Sequence, residues 1–465
     1  MTIDCGIDIG STNVKVVLVD ESGRMVHVRS VPTPRASDGL GSVTNALELV
    51  SLLEDMIIEG WQQNAGGKPL RSITTAGVGE DGLGVDAALR PTGPAIPWFD
   101  RRAKGEIAAL RTRGDFTSRT GIAIASDRTI AKWAWIRRFR PQELEEAKHW
   151  IALADYPAVW WSGRPFMSIS LAPRTACFDL GARKWIDELT SAAGAPPMPE
   201  IVEAGVSLGG VREGRLRQSG AASTATIVAV GGHDHPVAAS IVRRDDPNAT
   251  VDSMGTANLL YGELVGAGRL PCHPQLAFSI PPAGGASIAC LGVVELSMAL
   301  ASSRAQGDAF WSFLTQPHLP GDPPQGLADL AEPGAHAREP RRALEHASLA
   351  ARSLLVAMSA AGVSRSKIYS SGGWSRSRGF IELRASIFGE PIHVVDDIEL
   401  TAVGAALFGA QAAGADSASP LNSADIKTIE PVADWVPVYD KLFAELQNER
   451  VRVLRNDGQD ICIVG

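Results

Sequence analysis

One short segment, Gly231–Pro236, concentrates side chains that can accept a proton or bind a metal. Asp234 lies between two histidines, after an apolar run that ends in two glycines. Held at the end of a strand, its carboxylate could act as a general base. Two other interpretations fit the same spacing. His233 and His235 could ligate a metal from alternate strand positions, or Asp234 could cap a helix with Pro236 in its first turn.

The segment Gly6–Lys15 has the pattern of a phosphate-binding hairpin between two apolar runs. A carboxylate at the position of Asp8 is costly to bury unless it meets a cation or strong donors. Lys15, just past the turn, could add a positive charge. The turn itself can aim N–H groups and hydroxyls at one point, which suits phosphate oxygens; it consists of Gly10, Ser11, Thr12 and Asn13. An ordinary β-turn with Asp8 as a local cap is the alternative.

A third segment, Gly77–Gly82, matches the glycine spacing of a dinucleotide-binding loop. Such a loop must open a helix, whereas the residues that follow predict a strand and a turn, so we reject that interpretation. Glu80 and Asp81 remain on a glycine-flanked bend, where carboxylates could accept hydrogen bonds from substrate hydroxyls. A solvated turn is equally consistent with the spacing.

Two later turns also offer backbone N–H groups to a ligand. Gly255 and Thr256 lie between two apolar runs, as the first hairpin does. Gly372 and Gly373 end another strand and precede a helix. Without side chains, such a turn lets the backbone approach a phosphate or a flat ligand closely, with a helix N-terminus behind it.

Two similar series of elements must position these groups. In the first half, apolar runs and helical periodicity predict the order β-β-β-α-β, with the elements Cys5–Ile9, Val14–Asp20, Met25–Ser30, Ser42–Gln63 and Ser72–Gly77. The second half repeats a strand, a Gly-Thr turn and a strand, followed by a helix at Ala343–Ala361 and further strands and helices. This order differs from strict βαβ alternation and predicts duplicated α/β domains that face one another. The break is expected near Ser240–Asn248, where Arg243–Asn248 is predicted to be a polar loop. The Pro- and Gly-rich Gln316–Arg342 predicts a long surface loop or an insertion.

The composition is that of an ordinary globular enzyme. The chain has 465 residues, 45% hydrophobic and 21% charged, and a formal net charge of −8, which disfavours a nucleic-acid binder. Its five cysteines are scattered, with no CxxC pair, so we expect neither a disulfide framework nor a zinc-knuckle arrangement of cysteines. No signal-peptide pattern and no apolar run of about 18 residues is visible, and we expect a cytoplasmic protein without membrane contact.

Taken together, the motifs resemble the FGGY family of carbohydrate kinases, within the actin/sugar kinase/Hsp70 fold, along nearly the whole chain. The resemblance rests on GIDIGSTNVKVVLVDESG, GVGEDGLGVDAALRPTGPAIPWFDRRA, TIAKWAW, RTACFD, GGHDHPVAA, SMGTAN, SGGWSRS and GEPIHVVDDIELTAVGAALFGA. It implies two ribonuclease H-like (actin-like ATPase) domains with a cleft between them. Residues 1–242 would bind the sugar and carry the catalytic base, and residues 243–465 would bind the nucleotide.

The resemblance also implies roles for individual residues. Asp234 would be the catalytic base and Asp8 would hold Mg²⁺, with ATP as the phosphoryl donor. The substrate contacts would be Glu80, Asp81, Trp98, Asp127 and His235. The ATP contacts would be Gly10, Ser11, Thr12, Asn13, Lys15, Gly255, Thr256, Gly372 and Gly373. A small neutral sugar is expected, a ketose such as a pentulose before a polyol, together with a homodimer.

Three departures from the family pattern concern the substrate. Asp127 stands where an aromatic residue, Gly or Ser is usual; His233 and His235 flank the base; and a G-E-R-x-P segment is replaced by Gln316–Arg342. Two other classes compete with a sugar kinase. An actin-like ATPase would not need Glu80 and its neighbours, and a catalytically inactive sugar sensor would not need Asp8 and Asp234.

Overall fold

A computed structural model of the chain describes residues 2–255, 258–266, 270, 273, 275–294, 296, 300, 307–330, 340–395, 399–415, 421 and 426–456. Its strands are β1 Ile3–Ile9, β2 Asn13–Asp20, β3 Met25–Pro32, β4 Ala36–Ser37, β5 Ser42–Val43, β6 Ser72–Gly77, β7 Gly82–Val85, β8 His149–Ala152, β9 Phe166–Ser168, β10 Phe178–Asp179, β11 Lys184–Trp185, β12 Glu200–Val202, β13 Ser207–Gly210, β14 Ile227–His233, β15 Thr250–Met254, β16 Asn258–Val265, β17 Leu276–Ser279, β18 Ser287–Val294, β19 Ile368–Ser371, β20 Ile392–Val395 and β21 Ile426–Ile429.

The α-helices are α1 Ala46–Asn64, α2 Ile107–Arg111, α3 Thr117–Thr120, α4 Thr129–Phe139, α5 Pro141–Glu145, α6 Tyr156–Ser162, α7 Asp187–Ala193, α8 Arg215–Gln218, α9 Asp234–Asp245, α10 Asp308–Leu314, α11 Leu327–Leu330, α12 Pro340–Ala360, α13 Arg378–Phe388, α14 Leu400–Ala412 and α15 Val436–Asn456. Short 3₁₀ helices span Arg102–Glu106, Ala172–Thr175 and Gly373–Arg376.

Two mixed sheets share one topology. The first has the order β13-β14-β6-β1-β2-β3, and the second has the order β17-β18-β16-β15-β19-β20-β21. In each, three antiparallel strands are followed by two parallel ones: β3-β2-β1-β6-β14 in the first and β18-β16-β15-β19-β20 in the second. The predicted duplication of strand–turn–strand units is therefore confirmed.

Helices α9 and α14 pack between the two sheets. A Cβ on Gly6 in β1 would overlap the carbonyl oxygen of Ala402, and one on Gly404 would lie 2.6 Å from that of Val237. Glycine at these two positions lets α14 lie directly on β1 and on α9. Since α14 belongs to the second half of the chain but packs on the first sheet, it brings the residue before its N-terminus, Glu399, to the β1–β2 hairpin.

Two predictions of secondary structure are wrong. The first helix begins at Ala46 rather than Ser42, because Asn45 caps it by accepting hydrogen bonds from two N–H groups, and Ser42–Val43 pairs as a short strand. The run Arg243–Asn248, predicted as a polar loop, is helical up to Asp245, the last residue of α9.

The predicted loop Gln316–Arg342 is only partly a loop, since it contains α11 and the start of α12. Residues 331–339 of this segment lie outside the described residues.

Candidate active site

A β-bulge at the end of β14 positions Asp234. The parallel pairing of β14 with β6 shifts register between Val230 and Gly232, and such bulges re-aim the side chains that follow. Asp234 then opens α9, with its side chain 17% exposed. The cap interpretation is off by one residue, because His233 occupies the N-cap position and Asp234 is the first helical residue.

All hydrogen bonds and ion pairs between the Asp234 carboxylate and described residues fall on Oδ1. This oxygen accepts a hydrogen bond from the backbone N–H of His235 at 2.7 Å. It lies 3.3 Å from Nε2 of His233 and 3.8 Å from Nε2 of His235. Among the described residues, none donates a hydrogen bond to Oδ2, which leaves this oxygen available as an acceptor.

Asp8 and Lys15 lie opposite each other in the β1–β2 hairpin. Burial and the negative charge of Asp234 raise the pKa of Asp8 to about 7, with Lys15 opposing and Glu399 reinforcing the shift. Lys15 Nζ lies 2.5 Å from Oε2 of Glu399, the residue just before α14. The hairpin thus places Asp8 within electrostatic range of Asp234. Glu399, from the second half of the chain, is the ion-pair partner of Lys15.

The predicted phosphate turn closes tightly on itself. The N–H of Gly10 donates to the carbonyl of Asn13 at 3.0 Å, and a Cβ on Gly10 would lie 2.7 Å from that oxygen. Thr12 is exposed, and Ser11 and Asn13 are half-buried. These groups are accessible to a ligand on the same hairpin that carries Asp8.

The turns of the second sheet meet at the ends of β15 and β19, which are parallel neighbours. Gly372 has a φ of +99°, and a Cβ there would lie 2.6 Å from the carbonyl oxygen of Met254. Gly255 follows Met254 directly, so the structure brings Gly255 and Gly372 together, with Gly373 starting a 3₁₀ helix. The predicted contact Thr256 lies outside the described residues.

Glu80 is buried between two arginines. Its Oε1 accepts hydrogen bonds from Nη1 of Arg128 and from Nη2 and Nε of Arg174, the last at 2.9 Å. Burial by itself would raise the pKa of Glu80, but the charges of Arg174 and Arg128 lower it to about 2. Glu80 is thus a paired carboxylate inside the protein, and the solvated-turn interpretation is wrong. The hydrogen bonds that described residues donate to its carboxylate all fall on Oε1, and none falls on Oε2.

Asp81 is buried beside Glu80, and Oδ1 accepts a hydrogen bond from the backbone N–H of Trp98 at 2.6 Å. Burial raises the pKa of Asp81, against the opposing charges of Lys132 and Arg35. Its Oδ2 is buried without a hydrogen-bond partner among the described residues, 3.7 Å from Nη1 of Arg35. The contact with Trp98 is made by the backbone, and it fixes the Pro94–Asp100 segment next to the bend.

Asp127 faces Arg128, with 3.3 Å between Oδ2 and Nη1. The structure therefore connects Asp127 to Glu80 through a shared guanidinium rather than leaving two free acids. Four charges alternate in this cluster, which we call the Glu80 cluster: Glu80, Asp127, Arg128 and Arg174. Their formal charges cancel.

Several residues of the site were not singled out from sequence: Arg35, Arg128, Lys132, Arg174 and Glu399. Lys132 is fully buried and donates hydrogen bonds to the carbonyls of Glu80 and Ile96, each at 2.8 Å. Arg35 connects the Gly10–Asn13 turn to the bend at Glu80 and Asp81, since Nη2 donates to the carbonyl of Ser11 at 3.2 Å while Nη1 faces Asp81. The sequence held one signal for these cationic residues, because a carboxylate at a buried position requires a cationic partner.

The carboxylates of Asp8 and Asp234 would suit Mg²⁺, but only in a site that water or phosphate oxygens complete. Among the described residues there is no group of three or more His, Cys, Asp or Glu side chains that could hold a metal, so the His-x-His interpretation has no support. Asp8 and Asp234 repel each other, a repulsion that a divalent cation would relieve. Mg²⁺ favours oxygen ligands and keeps water or phosphate oxygens in its shell, so one or two carboxylates are enough.

No helix in the described part of the chain combines the length and the apolar character needed to cross a bilayer.

Comparison with family models gives two matches. Residues 3–240 match the N-terminal domain of the FGGY family of carbohydrate kinases, and residues 298–413 match its C-terminal domain. Together these matches span more than half of the chain.

Among curated proteins, the chain is similar to a xylulose kinase of Lactococcus lactis, 25% identical over 270 residues, which are 56% of this chain and 53% of the relative. It is also similar to a gluconokinase of Bacillus subtilis, 26% identical over 41% of this chain and 38% of the relative. The alignments thus span about half the length, or less, of these curated relatives. In fold, the chain is similar to a xylulose kinase from Lactobacillus acidophilus, with a TM-score of 0.84, 18% identity, and 98% and 99% of the two chains covered.

Proposed function

The chain belongs to the FGGY family of carbohydrate kinases, and we propose on that basis that it transfers the γ-phosphoryl group of ATP to a hydroxyl of a small sugar or polyol. The observation that carries the proposal is the position of Asp234. Asp234 follows β14 at the start of α9, and the ends of β14 and of β1 flank the same residue of β6, since His233 and Ile9 both pair with Gly77. The base therefore lies at the same edge of the sheet as the Gly10–Asn13 turn. A proton acceptor beside a phosphate-binding turn is what the transfer needs.

In the proposed reaction, Oδ2 of Asp234 accepts the proton of the attacking hydroxyl. The hydroxyl oxygen forms a bond to the γ-phosphorus while the bond from that phosphorus to the bridging oxygen breaks, and ADP leaves with the electron pair. The turn Gly10–Asn13 and the pair Gly255 and Gly372 hold the nucleotide from the two sheets. Asp8 would hold Mg²⁺, which neutralises developing charge on the phosphates.

We further propose that the substrate is a neutral sugar, a ketose such as a pentulose, with a polyol as the second choice. The Glu80 cluster supports this choice, because the charges of its two acids and two arginines sum to zero. The cluster therefore offers no net positive charge to attract an anionic substrate. Oε2 of Glu80 would accept a hydrogen bond from a sugar hydroxyl. The relatives include kinases of both a ketose and a sugar acid, so the charge of the pocket becomes the discriminating argument. The homodimer and the cytoplasmic location stay predictions.

The test is an ATP-coupled assay over tetruloses, pentuloses, hexuloses, polyols and sugar acids, run with the wild type and with Asp234→Asn. A kinase needs the sugar for fast turnover, whereas an actin-like ATPase hydrolyses ATP without it and a sensor shows no turnover. Loss of the base should lower kcat by about 10²–10⁴-fold with ATP affinity nearly unchanged. A variant with more than about a tenth of wild-type kcat would show that Asp234 is not the base.

A further inference from the structure

His233 directly precedes the candidate base and occupies the N-cap position of α9. The ring is 4% exposed, and Nε2 lies 3.3 Å from Oδ1 of Asp234. The contact is close but does not have the alignment of a hydrogen bond. Hydrogen bonds in catalytic sites are often long or poorly aligned before substrate binds. The imidazole is thus placed to touch the carboxylate oxygen that the substrate would not use.

The position of the proton on the His233 ring follows from its neighbour. Nε2 is the nitrogen that faces Asp234. An ionised carboxylate only accepts hydrogen bonds, so a proton belongs on Nε2. The other nitrogen, Nδ1, is buried without a partner among the described residues.

The local backbone is adapted to this ring. A Cβ on Gly79 would lie 3.0 Å from Cδ2 and Nε2 of His233, so glycine there leaves the space that the imidazole occupies. Gly232, with a φ of +141°, follows the bulge, and the N–H of His233 donates to Oγ of Ser170 at 3.0 Å. The bulge, the two glycines and the serine together fix the direction of the His233 side chain.

We propose that His233 is a positioning residue for the base: its Nε2–H holds Oδ1 of Asp234 so that Oδ2 points at the attacking hydroxyl. The proposal rests on the proposed function, in which Asp234 accepts the proton. It assigns His233 no contact with the substrate. Its effect should fall on kcat, since an undirected carboxylate still allows both substrates to bind but seldom meets the hydroxyl in a reactive geometry.

Two matched variants test the position of the donor. In His233→Gln the amide nitrogen reaches about as far as Nε2 of the imidazole, whereas in His233→Asn it reaches only about as far as Nδ1. Both variants are neutral and polar, and a thermal melt checks that both fold. We expect His233→Gln to stay within about threefold of the wild-type kcat, and His233→Asn to lose about tenfold, the order expected for one hydrogen bond to a charged group. KM for ATP should change in neither.

A double-mutant cycle separates positioning from a merely structural role. In the Asp234→Asn background, His233→Asn should lower kcat no further, because the group that it orients is no longer a base. The proposal is overturned if His233→Gln and His233→Asn lower kcat equally. It is also overturned if His233→Asn lowers kcat by the same factor in the Asp234→Asn background. Failure of the proposed function gives a different result, since Asp234→Asn alone would then keep most of the activity.

Discussion

Replacing Arg174 by methionine should leave the buried carboxylate of Glu80 without one of its two arginine partners. The expected loss of stability follows from the pKa of Glu80. Arg174 donates two hydrogen bonds to Oε1 of Glu80, through Nε at 2.9 Å and through Nη2. Together with Arg128 it lowers the pKa of Glu80 from 4.5 to about 2 although the group is buried. A shift of this size corresponds to about 3 kcal/mol of preference for the ionised form in the folded protein.

The sign of this contribution sets its pH dependence. Because the folded-state pKa of Glu80 is below that of the unfolded chain, the stabilisation is present above about pH 4.5 and is lost as the pH falls toward 2. At pH 7, Arg174→Met should therefore lower the free energy of unfolding by about 3 kcal/mol, within the range seen when one partner of a buried pair is removed. KM for the sugar should rise as Glu80 shifts, while KM for ATP stays constant.

Urea unfolding at pH 7 measures the stability effect, and the double variant Glu80→Gln/Arg174→Met is the control. Glu80→Gln alone leaves two arginines facing an amide, so it should also destabilise the protein. Because the two residues share one interaction, the double variant should lose clearly less stability than the sum of the single losses. Additive losses, or an Arg174→Met variant as stable as the wild type, would refute the conclusion that Glu80 is held by this pair.

Three further predictions concern single acids. Asp8→Ala should lower kcat and raise the Mg²⁺ concentration needed for half-maximal activity, and an unchanged Mg²⁺ titration would leave Asp8 a structural role only. Asp155 is buried, and burial raises its pKa to about 7 despite hydrogen bonds from Ser168. The stabilisation that the protonated Asp155 provides is therefore complete below about pH 4 and is lost as the pH rises to 7. Over that interval the stability of Asp155→Asn relative to the wild type should increase, by at most about 1.4 kcal/mol per pH unit. If the free energies of unfolding of the two proteins run parallel against pH, this prediction is wrong. Asp127→Ala should lower kcat/KM for the sugar but not KM for ATP, because it leaves the Glu80 cluster with an excess positive charge; it should also improve relative activity on sugar acids, which a sugar panel would reveal.

The residues of the chain determined much of the fold by local rules. Apolar alternation around Gly10–Asn13 predicts the first hairpin, and β1, β2 and β6 lie within one or two residues of the predicted strands. Strands β1 and β2 pair with each other across a short turn, so their pattern is visible without distant partners. The rejection of a dinucleotide-binding loop at Gly77–Gly82 is also confirmed, since β7 rather than a helix follows.

What the sequence could not determine is which distant groups meet. Glu399 pairs with Lys15 across 384 positions, and Arg174 with Glu80 across 94. Nothing in the local pattern of Glu80 separates a free acceptor from a carboxylate held by two arginines, because electrostatic partners are set by distance in space. The packing of α14 on β1 and the bulge in β14 supply those distances. The sequence by itself therefore determined the types of the reactive groups and the turns that carry them, whereas only the tertiary structure decided their charge partners, because burial and ion pairing depend on contacts between segments far apart in the chain.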